Sequence, residues 1–432
     1  MDISGKACVL MLNLPPSALG GINLLSFTTT DRFKGIKELP QGWHFVFTSS
    51  TSSLSVRHGA WFHVQGEPSG PPELFIKKWE PAAEEFVQET NEAEILKWRG
   101  NLSSIWREGL TPYRQSASKD KDEIQEEMHD WVALTDSITS AMLTRITGSA
   151  PDHWSLTSAS SAARDMDDIP GISAEQSAFQ PEKELRFLPI DLKQTWREGA
   201  TGRERTHAAQ DRTWALGDLI ERHCADGDAD EILGELQFCF LMVLTLNNNS
   251  CLEQWKRLLS LLLTCKKAVV QRPELYTKFL GLLRLQLQHC QDAEGGLFDL
   301  SDEGGTLLGS LLRRFKKGLE EVEGLGKEDV VDELEELEDH LRSEYGWQFD
   351  NSFVRHGMLE LEDGERVEMD VAGYEEDDES GEYAPMVVEL TPEQAKSLGR
   401  TDGGTLQQHP KDEETTEIEE EEDDLEDMDA RY

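Results

Sequence analysis

The sequence predicts an α+β fold: an N-terminal β-sandwich-like domain, a C-terminal all-α helical domain and an acidic, disordered tail. Three observations carry this reading. Residues 6–79 break into short runs rich in β-branched and aromatic residues, punctuated by Pro, Gly and Ser. Ile232–Cys265 reads as two helices joined by an Asn-rich turn. From Glu360 to Tyr432 there are 28 acidic and 5 basic residues, which is −23 of the net −43 carried by the 432-residue chain. Like-charge repulsion with little apolar surface to bury favours disorder there. Composition shifts set the boundaries: 1–147 for the β-rich domain and the helices after it, 148–184 for a flexible linker, 185–350 for the helical domain, and 351–432 for the tail.

Taken in order, the expected strands are Ala7–Leu14, Ile22–Thr29, Trp43–Ser49, Val56–Val64 and Glu73–Trp79. Gly20-Gly21, Gly35, Pro40–Gly42 and Gly66–Pro72 supply the turns between them. Short strands at this spacing suggest a small sandwich. Ala82–Trp98 and Asp122–Thr147 then read as helices, the second with a stripe of Ile124, Met128, Trp131, Leu134, Ile138, Met142 and Leu143. Gly148–Glu184 is rich in Ser, Ala, Asp and Pro without a sustained period, as a linker is. Leu185–Lys193 resumes an extended pattern, and Pro189 places it at a sheet edge. Helices follow at Thr213–Cys224, the central hairpin, Pro273–Cys290, Gly305–Val322 and Lys327–Glu344.

The hairpin organises the rest. In its first helix Leu233, Leu236, Phe240, Val243 and Leu244 recur at helical spacing, while Phe238, Cys239 and Met242 make it apolar nearly all round. Such a helix has to be enclosed by others. Asp228 with Glu231, and Ser250 with Glu253, have the spacing of capping boxes. Glu235 and Gln237 interrupt the apolar run, which stays below the roughly 18 residues of a membrane span.

Chemistry is harder to find. Cys8, Cys224, Cys239, Cys251, Cys265 and Cys290 form no CxxC pair and fall mostly on apolar helix faces, which points to a reducing compartment. Asp2 and the Pro15-Pro16 stop make Met1–Leu14 a first strand rather than a signal peptide. No HExxH, GxSxG, GxGxxG or Walker loop occurs. His223 and Cys224 are adjacent on one helix, so they point apart, and His58 beside Trp61 reads as a packing residue. No catalytic, cofactor or metal residue is assigned, and the acidity disfavours direct contact with nucleic acid.

Two stretches stand above this background. In Gly20–Ser50 and Val56–Phe62, the residues Ile22, Phe27, Phe33, Gly35, Ile36, Lys37, Pro40, Gly42, His44, Gly59, Trp61 and Phe62 fall into one pattern. In the hairpin, Gly234, Glu235, Gln237, Phe238 and Trp255 fall into another. Together they closely resemble the A1-cistron splicing factor family, the assembly chaperones of the U5 small nuclear ribonucleoprotein. Asn23 stands where that family usually has Asp, a harmless change if the residue only shapes a turn. The resemblance covers most of residues 7–350, and its motifs are fold signatures rather than catalytic ones.

The resemblance implies no enzyme and no cofactor. It implies a U5 precursor as the setting and one large partner, pre-mRNA-processing-splicing factor 8, gripped through its RNase H-like and Jab/MPN domains. It further implies a cytoplasmic escort with nuclear entry, and release regulated by phosphorylation, for which Thr264 and the hydroxyls of 148–184 are candidates. In the tail, Pro385, Met386, Val387, Val388 and Leu390 make an apolar island near 384–390, the composition of a strand added to a partner's sheet edge. The preceding run Glu375, Glu376, Asp377, Asp378 and Glu379 would steer it to a basic surface. Two other readings stand beside this one: a general acidic, histone-chaperone-like binder, and a hydrolase whose site carries no familiar motif.

Overall fold

A computed structural model describes residues 3–51, 55–81, 85–113, 130–166, 183–290 and 303–347, together with two strands at 355–360 and 366–371. All of these belong to one compact unit, Met1–Ala384; the second unit, Pro385–Tyr432, lies outside the described residues. Two five-stranded sheets form the N-terminal part. The first has the order β8 (Glu85–Gln88), β7 (Glu73–Glu80), β1 (Ala7–Leu12), β4 (Gly35–Leu39), β9 (Leu110–Pro112). The second runs β10 (Ser155–Thr157), β6 (His58–Val64), β5 (Gly42–Ser49), β2 (Leu19–Ile22), β3 (Leu25–Thr28). Every pairing in the second sheet is antiparallel, whereas β1–β7 and β4–β9 are parallel.

The two-residue period of the strands sorts the core into layers. Ala7, Val9 and Met11 of β1 face Ile22, Val46, Phe62 and Val64 across the sandwich. Their neighbours Cys8, Leu10 and Leu12 face outward onto Leu102 and Trp106 of α2 (Leu102–Glu108), which follows α1 (Glu92–Gly100). The outer face of the second sheet is as apolar. Phe45, Phe47 and Trp61 point away from the first sheet and into the core of the helices. Gly35 shows why the register is tight: its φ is +149°, and a Cβ there would lie 2.1 Å from the carbonyl oxygen of Val9.

The helices are α3 (Ser140–Thr147), α4 (Gly202–Gln210), α5 (Thr213–His223), α6 (Asp230–Leu246), α7 (Asn249–Leu262), α8 (Ala268–Gln271), α9 (Pro273–Gln288), α10 (Glu303–Glu321) and α11 (Lys327–Tyr345). In α6 every residue from Ile232 to Val243 is buried, as the all-round apolar pattern requires. The Asn-rich turn divides its labour. Asn247 ends α6 in the left-handed conformation, and the Asn248 side chain caps α7 by accepting from the N–H of Cys251 at 2.9 Å. β11 (Arg355–Glu360) and β12 (Arg366–Val371) pair antiparallel further on.

Several expectations change. Ala82–Trp98 is not one helix: β8 occupies its first part and α1 starts at Glu92, behind an Asn91 cap. Within Asp122–Thr147 the described part, 130–147, is broken after 133, and Thr139 caps α3 afresh. Ile124 and Met128 lie outside the described residues. Neither expected capping box forms, because Asp228 turns back on the N–H of Asp230 and Ser250 lies inside α7; the box that does form is Thr201 with Glu204. Leu185–Lys193 is extended but pairs with no strand, its Leu188 and Ile190 sinking into the helical core instead.

The flexible linker is the largest correction. Of 148–184, the described stretch 154–166 packs onto the sheet and the hairpin, whereas 148–153 stays largely exposed. β10 extends the second sheet, and Trp154 and Leu156 are buried. Asn248 donates to the carbonyls of Thr157 and Ser160, Ser250 accepts from the N–H of Ala162, and Arg257 pairs with Asp165 at 3.3 Å. A Ser-rich composition read as mobile because its polar groups could not be matched to distant partners from sequence. The hairpin supplies those partners. Residues 167–182 lie outside the described residues.

Candidate interaction site

Family-like residues of the two domains, Trp61 on one side and Phe238 on the other, meet in one seam. Trp61 of β6 is fully buried and stacks between Trp131, 6.1 Å between ring centroids, and Phe238 of α6, at 6.2 Å. Trp131 donates its indole N–H to the carbonyl of Trp43 at 2.8 Å, and Trp154 donates its own to Thr144 Oγ1 at 2.8 Å. Aromatic rings from both domains thus close the outer face of the second sheet against the helices. Gly234 lets α6 come close: a Cβ there would lie 2.3 Å from the carbonyl oxygen of Ser137. One turn on, Gln237 satisfies that bend, accepting from Ser137 N–H at 3.0 Å and donating to Ala133 O and Asp136 Oδ1.

Glu235 holds a third segment. Its fully buried carboxyl accepts from Arg145 Nη2 at 2.8 Å, from Gln254 Nε2 at 2.8 Å and from the N–H of Leu188 at 3.0 Å. Arg145 also pairs with Glu231 at 2.9 Å and reaches the carbonyl of Arg186. Burial raises the Glu235 carboxyl above the ordinary carboxylate value, and the Arg145 guanidinium and the other donors reduce that rise without cancelling it. All its hydrogen-bonding neighbours are donors, the surroundings of an ionised carboxylate. Burial lowers the Arg145 pKa and its two carboxylate partners more than reverse that. Trp255 completes the hairpin side by donating to Gln286 Oε1 at 2.9 Å.

Inside the sandwich lies a second polar cluster. Asn23, in the β2–β3 turn at φ +56°, accepts from the N–H of Phe45 through Oδ1. That leaves its amide nitrogen to donate to His44 Nδ1 at 3.2 Å and to Tyr113 Oη at 2.5 Å. His44 Nε2 donates to the carbonyl of Pro40 at 2.9 Å, so the neutral ring with its proton on Nε2 satisfies every contact. Burial drives the His44 pKa down to about 4. Asn23 therefore does more than shape a turn. It connects the second sheet to the end of β9 in the first.

The signature residues are thus framework. Gly59 leaves room for the Phe45 ring, Lys37 donates to the carbonyl of Trp106 at 2.7 Å, and Ile36 and Phe62 fill the sandwich core. Pro40 and His44 line a shallow cleft with Trp43, Trp131, Val132 and Asp136, about 220 Å³ in volume. That is below the roughly 300–1,000 Å³ of small-molecule sites. His58 packs edge-on against Trp79, and burial lifts the Cys224 thiol to about 12 beside an exposed His223. Thr264, a candidate for modification, is buried and donates to the carbonyl of Ser260. Among the described residues no group of His, Cys, Asp and Glu could hold a metal ion, and no helix is long and apolar enough to cross a membrane. The segment Pro385–Leu390, expected to dock as a strand, and the acidic run Glu375–Glu379 lie outside the described residues.

Comparisons with known proteins follow the same division. Residues 5–148 match the AAR2 N-terminal domain and residues 187–350 the AAR2 C-terminal repeat region. The chain is 27% identical over 307 residues to the protein AAR2 homolog of Mus musculus and to that of Homo sapiens, covering 65% of this chain and 75% of each relative. The Caenorhabditis elegans AAR2 homolog is 26% identical over 302 residues, covering 66% of this chain and 79% of its own.

Proposed function

The chain belongs to the A1-cistron splicing factor (AAR2) family, and on that premise we propose that it is a non-enzymatic assembly chaperone of the U5 small nuclear ribonucleoprotein. It binds the large scaffold, pre-mRNA-processing-splicing factor 8, through that protein's RNase H-like and Jab/MPN domains, and holds off RNA and the helicase subunit until maturation. The observation that carries the reading is the match of both domains to the family, whose signature residues Trp61 and Phe238 stack across the seam between them. A two-domain body joined by a packed seam suits a protein that works by presenting surface rather than by turnover. Its net charge of −43 suits the shielding of a basic, RNA-binding surface. The tail segment Pro385–Leu390 adds a strand to the scaffold's sheet edge, and the protein works in the cytoplasm and enters the nucleus with its cargo.

Capture from cell extract by the tagged full chain, with partners identified by mass spectrometry, tests this. One scaffold captured stoichiometrically supports it. A broad set of basic proteins bound without preference would replace it with a general acidic chaperone. Purified RNase H-like and Jab/MPN fragments should then bind directly, and Val388→Pro should speed dissociation by removing a main-chain donor.

A further inference from the structure

The helical domain presents a cationic face within a strongly acidic chain. On α10, Arg313 and Lys317 are one turn apart and exposed. Beside them Arg314 reaches the carbonyl of Ala209 at the end of α4, and Lys266 packs along Gly318 while pairing with Glu321 at 2.8 Å. Lys267 is 72% exposed and 4.0 Å from Asp211, and Arg203 is exposed on α4. The acidic neighbours already face cations: Glu321 pairs with Lys266 and also feels Lys317 one turn before it, and Asp211, Glu338 and Glu204 face Lys267, Lys316 and Arg197. Glu320 and Glu323 are the further carboxylates at this end of α10. Among the described residues neither Arg313 nor Lys317 forms an ion pair.

The end of the described helices bears on what covers this face. After α11 the ring of Trp347 comes within 3.8 Å of the point where Gly309 would carry a Cβ, and Arg313 Nη2 within 3.4 Å of the same point. The chain therefore leaves the helical domain beside Arg313. From there, residues 347–355 lead to β11, Arg355 pairs with Val371 at the open end of the β11–β12 hairpin, and Glu375–Glu379 begins four residues on. Those two connections total about 12 residues, which reach up to about 40 Å. Along α10, Gly309 and Lys317 are only about 12 Å apart. Five consecutive carboxylates thus lie within reach of the face.

We propose that the acidic run Glu375–Glu379 docks on the Arg313–Lys317 face of α10 in the free protein, so that its charge stays covered until a basic partner surface competes for it. The docking stands on charge and reach within this chain; the competing partner rests on the function proposed above. Tethering raises the local concentration of the run to roughly the millimolar range, enough for contacts that would be negligible between separate molecules. Exposed pairs are individually weak and screened beyond about 8 Å at physiological salt. A partner can therefore displace the run.

A carbodiimide, which joins amines to carboxylates at zero length, tests the docking in the full chain. Peptide mapping should link Lys317 to residues 375–379, within one chain when isotopically labelled and unlabelled protein are mixed. Arg313→Glu, which leaves the Lys317 reporter in place, should reduce that link at least fivefold, as should salt at about 1 M, where the Debye length falls to about 3 Å. Links from Lys317 only to other segments, or a link unaffected by Arg313→Glu, would overturn the proposal. In a second arm, Arg313→Glu/Lys317→Glu should associate severalfold faster with the basic RNase H-like fragment at low salt, whereas an unchanged rate argues against competition. If that fragment binds no variant at all, the proposed partner fails while the cross-link still decides the docking.

Discussion

Inside the sandwich, Asn23, His44 and Tyr113 form a buried cluster that works without charge; at the seam, Arg145, Glu231 and Glu235 form one that works through it. The first joins the β2–β3 turn, β5 and the end of β9, all fixed already by sheet ladders, so a few neutral hydrogen bonds suffice. The second has to hold α3, α6, α7 and the unpaired stretch around Leu188, which no ladder ties down. One carboxylate can accept from all of them at once, and bonds to a charged acceptor are roughly twice as strong as neutral ones. The contrast teaches where this fold needs charge: at the junction of segments that secondary structure leaves unattached.

The largest effect should come from breaking the charged cluster. Glu235→Ala leaves Arg145 half-served by Glu231 and strands the Leu188 N–H and Gln254, so we expect a loss of about 3–5 kcal/mol in chemical denaturation. A loss below about 1 kcal/mol, the range of exposed pairs, would mean that Arg145 simply turns to Glu231. The contrast between the clusters would then collapse.

The neutral cluster should answer to pH instead. The folded His44 pKa of about 4 lies below its unfolded value of 6.5, so its contribution is fully present above pH 6.5 and is lost as pH falls toward 4. A fall of that size corresponds to about 3 kcal/mol. Urea midpoints between pH 7 and 4 should therefore fall more steeply in the parent than in His44→Gln, which does not titrate. Equal slopes would show that the ring gains a proton without cost and is not enclosed as described.

A third test bears on the geometry that brings the seam together. Gly234→Ala places a Cβ 2.3 Å from the Ser137 carbonyl, so α6 or the 134–139 bend has to move. Overpacking of this kind costs about 1–3 kcal/mol. The signature should be local: the fluorescence of Trp131, which sits just before that bend, should change, while the sandwich side keeps its protection against hydrogen exchange. A silent substitution would place the bend elsewhere.

Much of the fold was legible because it follows from period alone. β1, β5, β6 and β7 and six of the long helices stand out as apolar runs of the right length between Gly, Pro or Asn breaks. β4 does not stand out from the sequence because Lys37 and Glu38 interrupt it, Glu38 at φ +63°; its place is set by its pairing with β1. β8 reads as the start of a helix because Ala82, Ala83, Glu84 and Glu85 are helix formers, a preference overridden by pairing with β7. The seam could not be read at all. Trp61, Trp131 and Phe238 are up to 177 positions apart, and only the fold makes them neighbours. Glu235 and Gln237 looked like blemishes on an apolar helix, and they proved to be its connections to the rest.

The smallest expected change in stability is the most diagnostic of how the neutral cluster works. Asn23→Asp keeps the acceptor for the Phe45 N–H but exchanges the amide nitrogen for a second oxygen. Tyr113 can turn its hydroxyl and donate to that oxygen. His44 cannot accommodate it by turning: Nε2 must keep its proton for Pro40, so Nδ1 can bond the new carboxylate only by gaining one. The ring then becomes an imidazolium paired with the introduced carboxylate, and its pKa should rise above 6.5, reversing the direction seen with Asn23. Stability should reverse its pH dependence accordingly. A folded pKa above the unfolded one contributes fully below pH 6.5 and is lost as pH rises through the new value. At neutral pH the cost of burying two charges and their attraction oppose each other, so the net change should stay within about 1 kcal/mol. Titration of the His44 ring protons by NMR measures the shift directly. A His44 pKa that stays near 4 in the variant would mean that the introduced carboxyl is itself protonated, and that the site excludes charge whichever residue occupies it.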